Sequence, residues 1–256
     1  MDMHFKPEIA VCGLHMDNLS MAEVVQKIKT SVLSREKTKI AFINADCINI
    51  AAKNQQYKDN VNNMDLALID GAGIRMAGKL LQQPVKDNVN GTDLFPKLCQ
   101  LLNEINASIY LLGAKPGIAD KVAEWIGCQH PAVKVKGVQH GYYPDADTQE
   151  VINRINAAKP DVLLVAMGAP KQEAWIAQHM QALDVTVAMG VGGLFDFYSG
   201  NIPRAPYWMR KRGLEWVYRL YQEPGRMWQR YLIGNAVFLG RVLFEMISIK
   251  KRAKSI

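Results

Sequence analysis

The chain reads as an α/β protein: a Rossmann-like, largely parallel sheet flanked by helices, followed by a basic helical appendage at the C-terminal side. Short aliphatic runs alternate with longer stretches of helical period, the signature of a sheet with helices on its faces. The runs LALI (66–69), IYLL (109–112) and VLLVA (162–166) are apolar without alternation, as expected of strands covered on both sides. Charge then changes near residue 200. Residues 201–256 carry twelve Lys/Arg and three Glu, a balance of +9, whereas the whole chain is +7, which leaves −2 for residues 1–200. An α/β body over 1–200 and an appendage over 201–256 follow from that break.

In chain order, strands are predicted at 9–12, 39–43, 66–69, 108–112, 133–138, 162–166 and 185–189, each a β-branched or aliphatic run. Ser20-Met-Ala-Glu23 is a capping box that opens the first helix. Helical patterns at 93–104, 117–126, 148–157 and 172–183 supply the other crossovers. Internal repeats and low-complexity segments are not evident.

Composition bounds the class. At 256 residues, 49% hydrophobic and 21% charged, the chain is long and apolar enough for a large core. Cys12, Cys47, Cys99 and Cys128 are scattered without CxxC spacing and read as buried thiols of a reducing compartment. The N-terminus has neither the basic start nor the apolar run of a signal peptide. No stretch is expected to span a bilayer. The nearest, 231–249, contains Asn235, Arg241 and Glu245, and a central charge costs about 2.5–3.5 kcal/mol on insertion.

In an open α/β sheet, ligands bind beyond the carboxyl ends of the strands. Those ends read Asn44-Ala-Asp46, Asp70-Gly71-Ala-Gly73, Gly113-Ala-Lys115-Pro-Gly117, Gly168-Ala-Pro-Lys171-Gln172-Glu173 and Gly190-Val-Gly192-Gly193. Glycine at four of the five brings backbone N–H groups and helix N-termini within reach of phosphate. Asp70 is placed to accept a proton from a hydroxyl nucleophile, or to cap the next helix. Asn44 can orient a sugar hydroxyl or satisfy a turn. The Gly113–Gly117 turn lacks the GK[ST] ending of a Walker loop, so a solvated Lys115 is the plainer reading. The run around Lys171, Gln172 and Glu173 offers more polar groups than a helix start requires. Asp145-Ala-Asp147 has DxD spacing but sits where a helix needs its cap, and the five histidines show no metal-ligand spacing, so no metal is expected.

Within the appendage, Glu223-Pro224-Gly225 breaks the helical pattern. Beyond it Arg226, Arg230 and Arg241 share a helix face near Trp228, Phe238 and Phe244, the composition of an interfacial helix on anionic lipid. Arg230, Arg241, Lys250, Lys251 and Arg252 are therefore the expected membrane contacts. The alternative is an amphipathic helix docked on the body or on another subunit.

The strings DGAG (70–73), GTDL (91–94), LLGAKPG (111–117), MGAPKQEAWI (167–176) and GVGGLFDFYSGNIPRAP through LEWVYRLYQEPGR (190–226) are similar to the WecG/TagA/CpsF family of bacterial glycosyltransferases, glycosyltransferase family 26. The resemblance runs from about residue 10 to 231. It implies inverting, metal-independent transfer of an N-acetylmannosamine-type sugar or glucose from a UDP-sugar to a polyprenyl-diphosphate-linked sugar, without a cofactor, at the cytoplasmic face of the bacterial membrane. It also implies Asp70 as general base, Asn44 and Gln172 as donor contacts, and Arg219 and Arg226 closing on the diphosphate. The matched strings add Gly71, Thr92, Asp93, Gly113, Lys115 and Gly168 to the expected substrate contacts, together with Lys171, Glu173, Gly192, Asp196 and Arg204. Two positions depart from the family pattern. Phe42 stands where many members have threonine, and Asn88 where many have arginine.

Such chemistry is coherent with the residues. Attack on an anomeric carbon builds positive charge on the sugar and negative charge on the leaving diphosphate, which a carboxylate and a set of cations stabilise from opposite sides. A dinucleotide-dependent oxidoreductase is disfavoured by the missing GxGxxG. A non-catalytic membrane-surface, nucleotide or nucleic-acid binder is disfavoured by a near-neutral body carrying five loaded strand ends. The oligomeric state stays open.

Overall fold

A computed structural model of the chain describes residues 7–254; the side chains of Arg226 and of 252–254 lie outside that description. The described residues form one eight-stranded sheet of β1 (Glu8–Val11), β2 (Leu14–Asp17), β3 (Thr38–Ile43), β4 (Leu66–Ile69), β5 (Ser108–Gly113), β6 (Lys134–Gln139), β7 (Val162–Ala166) and β8 (Val187–Gly190). Its order is β1-β2-β4-β3-β8-β7-β5-β6, and every neighbouring pair is parallel except β1 with β2. The seven predicted strands are present within two residues of their expected bounds. β2 was not expected. Its LHMD sequence alternates buried and exposed residues, too short a run to register as apolar, and it pairs with β4 only at Asp17 opposite Leu68. The Asp17 carboxylate supplements that pairing by accepting the Ala67 N–H at 2.9 Å.

Strand period two divides the core. Ile40, Phe42, Leu68, Leu111, Leu164 and Met189 face one layer, with the helices Met21–Ser34, Gly91–Glu104 and Ile118–Gln129. Ala41, Ile43, Ala67 and Ile69 face the other way, against the helices Ala45–Ala51, Gln55–Asn62 and Ala72–Leu80. Leu112, Leu163, Val165 and Ala188 continue that face beneath Thr148–Ala158 and Lys171–His179. The Ser20 capping box forms as read, with the hydroxyl and the Glu23 carboxylate exchanging bonds across the turn. Cys47 and Cys99 are buried as expected, but Cys12 is only partly covered and Cys128 is exposed.

The appendage is helical and lies against the body. Tyr207–Lys211 and Glu215–Gln222 are followed by a break at Glu223, a helix Pro224–Trp228, a wider π-type turn Gln229–Ile233 and the helix Gly234–Lys254. Phe238 and Val242 are 1% and 0% exposed and join the cluster around Ile43, Ile48 and Ile74; such burial contributes about 1.5–3 kcal/mol per side chain. The Asn49 amide donates to the Gly234 carbonyl at 2.7 Å, and the Cys12 N–H donates to Glu245 at 2.8 Å. Because β1 runs against its neighbours, Cys12 lies at the opposite sheet edge from Asn44. The long helix therefore crosses the sheet from edge to edge.

That docking bears on two expectations. Gln229–Lys251 is long and apolar enough to cross a bilayer by length and composition, because Arg241 and Glu245 interrupt it without lowering its mean hydropathy far. The arginines also do not form the outer face. Arg230 pairs with Asp46 at 3.1 Å, and Arg241 is half-buried beside the Cys12 turn. Outward instead face Ile233, Val237, Phe244, Ile247 and Ile249, with the exposed Lys250 and Lys251 at the end. Arg226 and Arg252 lie outside the described side chains.

Candidate active site

Parallel strands bring their carboxyl ends to one edge. Along it stand, in order, Asp70 after β4, Asn44 after β3, Gly192 after β8, Gly168 after β7 and Lys115 after β5. Two clefts open there. One of about 570 Å³ covers the β4 and β3 ends; the other, of about 1040 Å³, covers β8, β7 and β5.

Asp70, Asn44, Gly71 and Thr92 line the first cleft, together with Glu215, Arg219 and Arg230 from the appendage. Asp70 is not a helix cap: the cap position is Gly71, at φ 96°, with no side-chain bond to it. Burial pushes the Asp70 carboxyl up to about 6, and the nearby Glu215 adds to the shift; a hydrogen bond from Asn44 and the charges of Arg230 and Arg219 oppose it. Asn44 does both things its position allowed. Its Oδ1 accepts the N–H groups of Asp46 and Cys47 at 3.0 and 3.3 Å, capping the helix, which leaves its NH₂ to hold Asp70. The result is a carboxylate fixed in place and poised to take a proton near neutral pH.

Both departures from the family pattern lie here. Asn88 lines the cleft and accepts the Gly71 N–H at 2.5 Å, bracing the turn that carries Asp70. Phe42 is 7% exposed and packs in the core under the Gly91 helix start, where a Cβ on Gly91 would stand 3.5 Å from its ring.

Lys115, Gly168, Lys171, Gly192 and Asp196 line the second cleft, with Tyr142 and Tyr143 on its far wall. Arg219 stands at the partition. Its guanidinium lies 5.1 Å from the Phe197 ring centroid, on the first cleft, and crowds Gly193, on the second. A cation there faces both spaces.

Among the described residues five expected contacts, Gly113 being one, are not walls of either cleft. Gln172 and Glu173 are 4% and 1% exposed and lie beneath the floor. Gln172 Oε1 accepts from the Gly168 and Gly192 N–H groups at 3.1 and 2.9 Å, while its amide donates to Glu173 at 2.8 Å. It ties the β7 and β8 loops together. Gly190 leaves it room, since a Cβ there would stand 3.0 Å from its Nε2. Asp93 and Arg204 bind each other at 2.6 Å, with Arg210 joining Asp93 at 3.5 Å, so they latch the appendage to the Gly91–Glu104 helix. Burial alone would raise the Asp93 carboxyl; the Asn90 and Arg204 hydrogen bonds outweigh it and hold it below its usual range.

Four of the strand-end N–H groups expected to be offered to phosphate are engaged otherwise. Those of Gly71, Ala114, Gly168 and Gly192 are all spent inside the protein. Gly113 is required by packing, because a Cβ would lie 2.4 Å from the Ala166 carbonyl oxygen at φ 132°. Asp145 and Asp147 form a short 3₁₀ turn before Thr148, and neither gives the expected side-chain cap.

A profile of the glycosyl transferase WecG/TagA/CpsF family matches residues 9–252. The chain belongs to that family. It is thus a glycosyltransferase, and the oxidoreductase and binding-module readings fall away. Similar proteins from Staphylococcus aureus strains MW2 and NCTC 8325 are each 28% identical over 249 residues, 96% of this chain and 95% of theirs. Each is named an N-acetylglucosaminyldiphosphoundecaprenol N-acetyl-beta-D-mannosaminyltransferase. Within this WecG/TagA/CpsF member, sequence reasoning missed Asn88, Glu215, Trp216 and Tyr231 as cleft residues. Glu215 and Trp216 lie in the matched LEW string, which was the available signal.

Proposed function

We propose that this glycosyltransferase moves an N-acetylmannosaminyl group from a UDP-sugar to N-acetylglucosaminyl-diphospho-undecaprenol, with inversion and without a metal, on the cytoplasmic face of the membrane. The observation that carries the reading is Asp70 and Arg219 lining one cleft within a chain that covers its mannosaminyltransferase relatives almost end to end. Asp70 takes the proton of the acceptor hydroxyl as that oxygen attacks the anomeric carbon. The C–O bond to the nucleoside diphosphate breaks, and Arg219, between the clefts, meets the charge that develops on the leaving diphosphate. With the N–H groups of Gly71, Ala114, Gly168 and Gly192 engaged elsewhere, side-chain cations share that duty: Arg219 and Arg230 on one side, Lys115 and Lys171 on the other.

The larger polar cleft suits the nucleotide, and the smaller one, which opens beside Met76, Ala236 and Leu239, suits an acceptor with a greasy tail. Gly234–Lys254 commits Phe238 and Val242 to the body, so its apolar outer face is read as resting on the bilayer rather than crossing it. Incubation with UDP-N-acetylmannosamine and a synthetic lipid-diphosphate-GlcNAc should release UDP in the presence of EDTA. Strict metal dependence removes the metal-free mechanism, and turnover only with UDP-glucose removes the sugar assignment. Asp70→Ala should abolish turnover and spare UDP affinity.

A further inference from the structure

Glu215 is an acidic side chain delivered by the appendage into the cleft that holds Asp70. Its carboxylate lies 3.5 Å from Arg204 Nε, and the same guanidinium grips Asp93 at 2.6 Å through Nη2. Arg204 is 23% exposed and Glu215 33%, so the group is held at the rim of the protein rather than extended into water. The latch that closes the appendage and the arm that places Glu215 are therefore one side chain.

A carboxylate is an odd choice beside a site that must receive a diphosphate, since it repels the ligand. Its position becomes intelligible through the base. We propose that Glu215 is a positioning residue for the transfer reaction, brought to Asp70 by closure of the appendage and fixed there by Arg204, so that closure delivers negative charge to the base as well as cations to the leaving group. The proposal rests on the reading of Asp70 as base.

The charged and polar groups around Asp70 set the sign of the effect. From the β3 end come Asn44, which donates to it, and Asp46, which is occupied by Arg230 at 3.1 Å. From 88–92 come the neutral Asn88, Asn90 and Thr92. From the appendage come Arg219 and Arg230, which favour the carboxylate, and Glu215, which opposes it. Arg219 has its own acidic neighbour, Glu223, at 3.9 Å. Without Glu215 burial alone would oppose the two arginines, leaving a less basic carboxylate that accepts a proton less readily.

The test is the pH dependence of kcat/KM in the full-length enzyme with a UDP-sugar and a lipid-diphosphate-GlcNAc acceptor. Glu215→Gln should move the acid limb down by roughly one pH unit and lower the plateau several-fold, with the KM for donor nearly unchanged. Glu215→Asp, which keeps the charge, should retain the wild-type limb. Both side chains sit at the surface, and a melting curve like that of the wild type confirms folding. A Glu215→Gln limb that stays in place, beside an inactive Asp70→Ala, overturns the role of Glu215 and leaves the base intact. Full activity of Asp70→Ala overturns both.

Discussion

Arg219 and Gly193 share one space: a Cβ on Gly193 would stand 2.8 Å from Arg219 Nη2. Gly193 has φ −82°, an ordinary value for any residue, so its lack of a side chain serves the arginine and not the backbone. Gly193→Ala should therefore fold normally while pushing the guanidinium off the partition. The expected result is a loss of kcat/KM of about tenfold or more, near 1.4 kcal/mol per decade, with a melting temperature close to that of the wild type. A steady-state assay beside a thermal melt reads both.

Asp70 should make the protein less stable as pH rises. Its carboxyl titrates at about 6 in the fold against 3.8 unperturbed, so the native state favours the protonated form. That advantage is complete below pH 3.8 and is lost as pH rises through 6. Asp70→Asn, which cannot ionise, should melt several degrees higher at pH 8, at about 2–4 °C per kcal/mol, and nearly level with the wild type at pH 4. Calorimetry at the two pH values checks the sign.

Gln172 should behave as a brace. Gln172→Ala deprives two half-buried N–H groups of their acceptor, at no more than about 1–3 kcal/mol for each, and loosens the β7 and β8 loops that floor the second cleft. UDP affinity measured by calorimetry should fall together with the melting temperature. Gln172→Glu keeps the acceptor oxygen, and the Glu173 carboxyl, raised by its burial, can supply the proton between them. It should recover most of both quantities, an outcome that a direct amide contact to the donor would forbid.

Membrane contact should follow the apolar face of Gly234–Lys254. Phe244 is 74% exposed and Ile247 49%. Phe244→Ser with Ile247→Ser should weaken binding to anionic liposomes by roughly tenfold or more, since each large apolar side chain is worth about 1.5–3 kcal/mol when buried, and should spare turnover of a short-chain soluble acceptor. Removal of everything after Arg230 is a poor substitute for this experiment. It would strip Phe238 from the core and Asn235 and Leu239 from the cleft.

How far the sequence could be read depends on where each residue's partner lies. Asp70 and Asn44 were legible because strand ends announce themselves: an apolar run stops, and a polar residue stands at the edge. β2 was not: its own pattern is only four residues long, and although it pairs with the adjacent β1, its place in the sheet is set by a single contact of Asp17 with the distant Leu68. Arg204 and Asp93 were both picked out, but their 2.6 Å contact joins positions 111 apart, and local spacing cannot distinguish a latch from a ligand. The direction of the arginines failed for a related reason. Helical period grouped Arg230 with Arg241, but a π-type turn at 229–233 lies between them, and which face turns inward is decided by what Phe238 and Val242 find on the body. Gln172 was read as a donor contact from the family resemblance, and nothing in its neighbourhood showed that Gly168 and Gly192 would converge on it.

The appendage also has a temporal meaning. Domains emerge from the ribosome amino end first and fold as units at about 5–20 residues per second. The sheet and its base at Asp70 can assemble while Glu215, Arg219 and Arg230 are still being made, and Phe238 and Val242 follow later still. For those seconds the nascent protein owns Asp70 and the lysines of the second cleft without the arginines of the first and without the apolar face of the long helix. Under the proposed mechanism, synthesis order withholds sugar transfer until the stretch of chain that completes the first cleft also presents its apolar face.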